Sequence, residues 1–408
     1  MSLELLSYLV LFLFIFAILP FFIYLFFITL LALILKSPLA RSKVKEAKKR
    51  FIFTVPAHNE ESCIRETVKS LKEVEYPREL YQILVIADNC TDNTKKSAEE
   101  EGATVLERFH ETEKSKGYAL DYCFRKIMED PSDNTDAFVV IDADTKVDKN
   151  ILNVFASYLE SGVDFIQAYY TASNPDASWR TRLLTYALSL INGVLLMGQE
   201  RFGLSVSLRG NGMCFSKKGL SRFPWKAYGL TEDMEFGWWL RLGGERVYFT
   251  SETYVAGEMV EKGGDAAASQ RQRWEVGRRQ LRNQFKQKVF EHAKITRFEK
   301  FIYLADLYLP SIGRLTGFLA FAILFNMILC LFTPGSLTLG LAFRIELFMV
   351  FTLALYIISP IFLLKVKISY LSSFVYAPFY LGWKLLLSFK EKPTGWIRTP
   401  HGKKKNSA

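Results

Sequence analysis

Asp142 and Asp144 stand two positions apart in "VVIDADTKV", at the end of an apolar run. Side chains two apart on an extended chain point the same way, so these carboxylates converge. Without a cation they would repel, and a hard divalent ion sharing its shell with phosphate oxygens would resolve the conflict. Mg2+ needs only one or two protein carboxylates when a substrate supplies the rest. A solvated acidic turn accounts for the same residues, so the pair alone implies no metal.

Other residues share this pattern. Asp88 closes "ILVIAD", where a carboxylate can accept hydrogen bonds from a base N–H or from ribose hydroxyls. Asp92 is better suited to capping the helix that follows. Lys116 and Gly117 in "KSKGYAL" open a helix, a combination that suits a phosphate, although a solvated lysine reads equally well. Glu232 and Asp233 in "GLTEDMEFGWWLR" open a Trp-rich helix. A carboxylate beside aromatic rings in a cleft tends to have a raised pKa and can serve as a general base. Helix capping from Thr231 is the plain alternative, but a cap has no need of Trp238 and Trp239.

The elements that must carry these residues alternate. Runs 51–56, 81–88, 103–109, 137–144 and 164–170 read as strands, and stretches 60–73, 92–101, 117–129 and 148–160 as helices. The expectation is an open, mostly parallel α/β sheet. Ligands in such sheets sit beyond the carboxyl ends of the strands, where residues 58–60, Asp88, Asp142 and Asp144 all fall. There is no Walker loop and no dinucleotide GxGxxG fingerprint.

Half of the chain is hydrophobic, with 34 Phe, a bias that suits helices in lipid. Residues 5–36 carry no charge before Lys36 and lack the features of a cleaved signal peptide. At 1.5 Å per residue they span roughly 47 Å, so one tilted helix fits better than a hairpin. Further spans are expected at 312–333 and 341–364, the second with Arg344 and Glu346 interfacial or paired near its outer end. Residues 368–388 read as an interfacial helix before a basic tail.

The net charge of +10 gathers beside apolar runs, at 36–50, 271–300 and Lys403–Lys405. That favours cytoplasmic flanks of membrane segments, facing anionic lipid, over nucleic-acid binding. The five scattered cysteines read as reduced cytosolic thiols. The expected layout is a membrane helix (1–35), a cytoplasmic domain (36–265), interfacial helices (266–311), two spans (312–364) and an interfacial helix with tail (365–408), at the plasma membrane.

Taken in order, "VPAHNEE", "VIADNCTD", "KGYAL", "DADT", "TED" and "QRQRW" resemble the membrane-bound family 2 glycosyltransferases. That group includes cellulose, chitin and hyaluronan synthases, and ceramide glucosyltransferases are similar. The resemblance covers about 50–300. It implies a GT-A fold and inverting transfer from a nucleotide sugar, with UDP the expected nucleotide and Mg2+ or Mn2+ the expected cofactor. Pro56, Glu60, Asp88, Lys116, Asp142 and Arg273 would bind the donor, and Asp144 with Asp142 would hold the metal. Asp233 would be the general base, and Glu232, Gln270 and Trp274 would meet the acceptor or product. "TGWIRTP" (394–400) is similar to a family element that folds over the donor site. One departure is Ala87-Asp88-Asn89-Cys90, where many members have an Asp pair before "GSxD".

The expected function is transfer to a glycan or lipid-linked acceptor in envelope or exopolysaccharide assembly, with a lipid glycosyltransferase adding one sugar as the alternative. With about three spans, a polymer synthase would need an oligomer or a separate exporter. A non-catalytic nucleotide-sugar-binding membrane protein would not need Asp233 together with a metal site.

Overall fold

The computed structural model describes residues 3–37, 47–261, 264–293 and 295–388. The chain starts with helix α1 (Leu3–Ile34), 32 residues with Pro20 inside it. It is one continuous helix, as the length argument requires.

An alternating unit follows: β1 (Phe51–Ala57), α2 (Ile64–Lys72), β2 (Tyr81–Asp88), α3 (Thr94–Glu100), β3 (Thr104–Arg108), α4 (Lys116–Met128) and β4 (Ala137–Val140). All pairings within this unit are parallel. Strands β1, β2 and β4 are buried almost throughout, as a parallel sheet covered on both faces demands. Beyond it come β5 (Thr145–Val147), α5 (Ile151–Glu160) and β6 (Phe165–Ala172). Next is a helical run made of α6 (Trp179–Leu188), a π turn (Ser189–Val194) and α7 (Leu195–Arg201). Then follow β7 (Met213–Ser216), α8 (Lys217–Arg222), α9 (Glu232–Leu242) and β8 (Val247–Gly257).

The eight strands form one sheet in the order β3-β2-β1-β4-β7-β6-β8-β5. β7 runs antiparallel to both neighbours, and β5 to β8, so the second half makes the sheet mixed. β4 is shorter than the expected run 137–144. It ends at Val140, and both aspartates fall in the turn before β5.

The remaining helices are α10 (Asp265–Glu291), α11 (Arg297–Tyr308), α12 (Ile312–Phe332), α13 (Leu337–Leu363) and α14 (Ala377–Ser388). Among the described residues, four helical runs are long and apolar enough to cross a membrane: 5–34, 179–201, 312–332 and 337–363. Three match the expected spans. The fourth, Trp179–Arg201, was not foreseen; it is less apolar and mostly buried within the protein, packed against α1 and α13. Residues 368–388 are not one helix but a 3-10 turn, Ile368–Tyr376, followed by α14. The 12 residues of α14 would reach about 18 Å, short of a ~30 Å bilayer core. Glu346 is buried and accepts a hydrogen bond from Asn326 Nδ2 at 2.9 Å rather than pairing with Arg344. All five cysteines are free.

Candidate active site

The turn after β4 is pinned from two sides. The Asp142 N–H donates to Asn211 Oδ1 (3.2 Å), and Asn211 Nδ2 donates to Thr145 Oγ1 (2.7 Å). From α2, Thr67 Oγ1 donates to the Ala143 carbonyl (2.7 Å) and accepts from the Thr145 N–H (3.1 Å). Burial pushes the Asp144 carboxyl up to about 7, and the Asp142 carboxylate adds to the shift. The conflict read from the sequence is therefore present in the fold. A buried, acceptor-rich carboxylate beside a second carboxylate fits a hard divalent ion. Among the described residues no group of three or more His, Cys, Asp or Glu could hold a metal. Among the described residues, Asp144 and its neighbour Asp142 could thus hold a cation only if a substrate phosphate completed its shell.

Lys116 opens α4 and reaches into this acidic region. Its Nζ lies 2.5 Å from Asp142 Oδ1 and 3.8 Å from Glu232 Oε1, and it donates to the Gly210 carbonyl at 2.5 Å. Burial works against the ammonium, but Asp142 and Glu232 outweigh it and hold its pKa above the ordinary value. Lys116 is thus the countercharge of the acidic residues. Gly117, read from the sequence as part of a phosphate site, has a packing reason: a Cβ there would lie 2.1 Å from the Ala227 carbonyl oxygen.

Glu232 and Asp233 form the first turn of α9. Burial raises both carboxyls, Glu232 to about 7, with Lys116 opposing the rise in each. Asp233 Oδ2 would stand 3.2 Å from a Cβ at Gly210, where φ is +78°, so a glycine lets the 209–212 loop turn beside this carboxylate.

Trp238 lines the cleft that holds Asp233, and both tryptophans also have a packing role. Both contact Phe285 of α10, Trp238 stacked at 5.7 Å and Trp239 edge-on at 5.0 Å. They dock α9 onto the helix that carries "QRQRW". The docking is close: a Cβ on Gly277 of α10 would lie 2.4 Å from Thr231 Cγ2, at the start of α9. Gln270, Arg273 and Trp274 thereby join the acids in one cleft, and the Arg273 charge favours ionisation of Glu232.

Pro56 near the end of β1, Glu60 in the loop after it and Asp88 at the end of β2 also line the cleft, and a loop follows each strand. Each loop turns through an asparagine in the left-handed region, Asn59 (φ 58°) and Asn89 (φ 50°). Asn59 Oδ1 accepts from the Thr91 N–H at 2.7 Å, tying the loops together. Asp88 Oδ1 is paired with the buried Arg108 guanidinium at 2.8 Å. A nucleoside contact from Asp88 would therefore use its other oxygen.

The cleft has a volume of about 1580 Å³, and every site residue expected from the sequence lines it. It continues past Asp233 to apolar side chains of the long helices, Leu25 of α1, Phe318 of α12 and Tyr356 of α13. Arg209 and Arg278 line the cleft as well, while Arg108 and Asn211 hold Asp88 and the Asp142 backbone; none of the four was anticipated. Only "RGNG" (209–212), two glycines around an asparagine, carried a local sign of a special loop. "TGWIRTP" and the basic tail lie outside the described residues.

A family model described as glycosyltransferase like family 2 matches residues 49–277, more than half of the chain. A beta-monoglucosyldiacylglycerol synthase of Nostoc sp. is 27% identical over 197 residues, which are 46% of this chain and 40% of that protein. The probable glycosyltransferase YdaM of Bacillus subtilis is 40% identical over 57 residues, 14% of this chain and 13% of its own. These alignments thus span less than half the length of either relative. Among solved structures, the mannosyltransferase PcManGT from Pyrobaculum calidifontis, in complex with GDP-Man and Mn2+, superposes with a TM-score of 0.56. That match covers 88% of this chain and 97% of the other at 16% identity, a likeness of fold. The architecture is the GT-A-like α/β fold expected from the motifs, with a mixed sheet.

Proposed function

The chain belongs to glycosyltransferase like family 2, and on that premise we propose that it is a membrane-associated inverting glycosyltransferase moving a sugar from a nucleotide sugar to a lipid acceptor. The observation that carries the lipid reading is the cleft itself. One continuous space joins Asp144 and Asp233 to the apolar faces of α1, α12 and α13. A head group held at Asp233 could leave its acyl chains against those helices.

In this reading the donor nucleoside, with UDP the expected base, lies against Pro56, Glu60 and Asp88. A divalent cation held by Asp144 and Asp142 would neutralise the donor diphosphate. Asp233 accepts the proton of the attacking hydroxyl while its oxygen bonds to the anomeric carbon. The bond from that carbon to the diphosphate breaks on the opposite face. Lys116 keeps the neighbouring acids ionisable, and Arg273 offers a positive charge to the leaving diphosphate. The pKa of Asp233 is raised by burial, which brings it towards the pH of the reaction and improves it as a base.

Trp274 in the same cleft favours a second reading, a glycan acceptor stacked on the indole face and extended repeatedly. In both readings residues 36–311 face the cytoplasm, consistent with the basic flank after α1. The test is incubation of the purified full-length protein, in detergent with lipid extract, with a panel of labelled nucleotide sugars. Products are separated by organic extraction and sized. A single labelled lipid supports the proposal, a polymer ladder supports the second reading, and no transfer from any donor refutes both.

A further inference from the structure

Beyond Asp233 the cleft holds charges for which transfer to a neutral lipid has no use. Arg209 precedes Gly210 beside the base. Its N–H donates to Gln167 Oε1 (2.7 Å) and its Nη2 to the Ile191 carbonyl in the π turn (3.4 Å), while its Nε is buried without a partner. Arg278, on α10, lines the same space, and among the described residues its side chain has no ion pair or hydrogen bond. Burial, with Arg209 and Arg271 adding to it, lowers the Arg278 pKa to about 10.

Asp306 and Glu275 oppose the shift at Arg278, and Asp306 and Asp233 do so at Arg209, but Asp306 and Glu275 are divided among other partners as well. Asp306 is paired with Arg241 at 3.0 Å and accepts from Gln199 at 3.2 Å. Glu275 is shared between Arg271 (3.4 Å) and Arg314 (3.8 Å). Two guanidinium groups thus repel one another across a cleft wall with only part of their charge offset, and an anion between them would relieve that cost. The wall beyond them is apolar, so the anion that fits carries hydrocarbon chains. The adjacent base adds a further demand. A phosphate monoester is already ionised and needs no proton removed, whereas a hydroxyl does.

We infer that the acceptor is a glycerophospholipid whose head group carries a free hydroxyl, with its phosphodiester held between Arg209 and Arg278. The inference rests on the lipid glycosyltransferase reading above and narrows it to an anionic lipid. The head-group oxygen forms the bond to the anomeric carbon, the proton passes to the Asp233 carboxylate, and the nucleoside diphosphate leaves with the electron pair of the broken C–O bond.

The experiment uses full-length protein in nanodiscs and whichever donor the panel identifies. Four acceptors separate the demands: phosphatidylglycerol has phosphodiester, hydroxyl and chains; phosphatidic acid lacks the head-group hydroxyl; diacylglycerol lacks the phosphate; glycerol 3-phosphate lacks the chains. The expected result is transfer to phosphatidylglycerol at a kcat/KM at least tenfold above the other three. In Arg278→Gln the preference for phosphatidylglycerol over diacylglycerol should fall roughly 10- to 100-fold, through KM, with partial recovery in Arg278→Lys. Equal or better use of diacylglycerol would overturn the inference while leaving the lipid glycosyltransferase reading standing. Equal use of glycerol 3-phosphate would overturn the lipid part, and donor turnover into a polymer with no labelled lipid would overturn both. The wild-type comparison decides the matter even if neither variant folds.

Discussion

Lys116 Nζ and Asp142 Oδ1 lie 2.5 Å apart, and through that contact α4 holds together acids from two distant parts of the chain. Glu232, 3.8 Å from the same ammonium, belongs to the helix of the proposed base. Burial raises Glu232 and Asp233, and Lys116 holds them lower than they would otherwise be. In Lys116→Gln both carboxyls should take up protons at higher pH. Because the base must be ionised, the acidic limb of the kcat/KM profile should move to higher pH by about one unit or more. An unmoved limb would show that Lys116 does not govern the base.

Asp233→Asn keeps the shape of the side chain and removes its basicity. Turnover should fall about 10²–10⁴-fold, with nucleotide-sugar affinity by calorimetry changed only slightly. Wild-type turnover in this variant would move the base to Glu232.

Asp144→Asn should have two opposite effects. Metal-dependent binding of the donor nucleotide should be lost in calorimetric titrations with Mg2+ or Mn2+. The ligand-free protein, by contrast, should become more stable. The Asp144 pKa is about 7 in the fold and near 3.9 in an unfolded chain. Between those values the native state binds more protons, so wild-type stability falls as pH rises through that window. At pH 8 the variant should melt higher, by roughly 2–4 °C for each kcal/mol released. A lower melting temperature together with unchanged nucleotide binding would remove Asp144 from the metal site.

Gly277→Ala places a methyl group 2.4 Å from Thr231 Cγ2, where α10 meets α9. Overpacking of this kind costs about 1–3 kcal/mol, so thermal melting should drop by several degrees and transfer should fall with it. Gly317→Ala on α12 is the control, since a Cβ there meets nothing within 4 Å. It should melt at or above the wild-type temperature. Equal behaviour of the two variants would mean that α10 does not rest on Thr231.

The proposed topology puts the turn between α12 and α13 outside the membrane and the loop after α4 in the cytoplasm. In a Cys-free background, Ser336→Cys should react with an impermeant thiol reagent in intact cells. Ser132→Cys should react only after lysis. The reverse pattern would invert the orientation.

Much of the site was legible in the sequence because its parts are local. Apolar strands ending in Asp88 and before Asp142 put carboxylates at the ends of a parallel sheet by period and chain direction alone. The uncharged runs that became α1, α12 and α13 were set by composition and length. What stayed hidden were contacts between residues far apart in the chain. Nothing near Lys116 marks it as the countercharge of Asp142 and Glu232. That role exists only because the sheet brings the three segments to one end. The tryptophans after Asp233 suggested aromatic neighbours in a cleft, and Trp238 does line it, but their packing on Phe285 of α10 was not visible in the sequence. The run Trp179–Arg201 has arginines at both ends and a polar centre, so its burial against α1 and α13 depends on those helices being in place. Arg209 and Arg278 are unremarkable in their own neighbourhoods. Only the packing of α10 against α9 sets two like charges in one cleft, because charge repulsion depends on distance in space and not on separation in sequence.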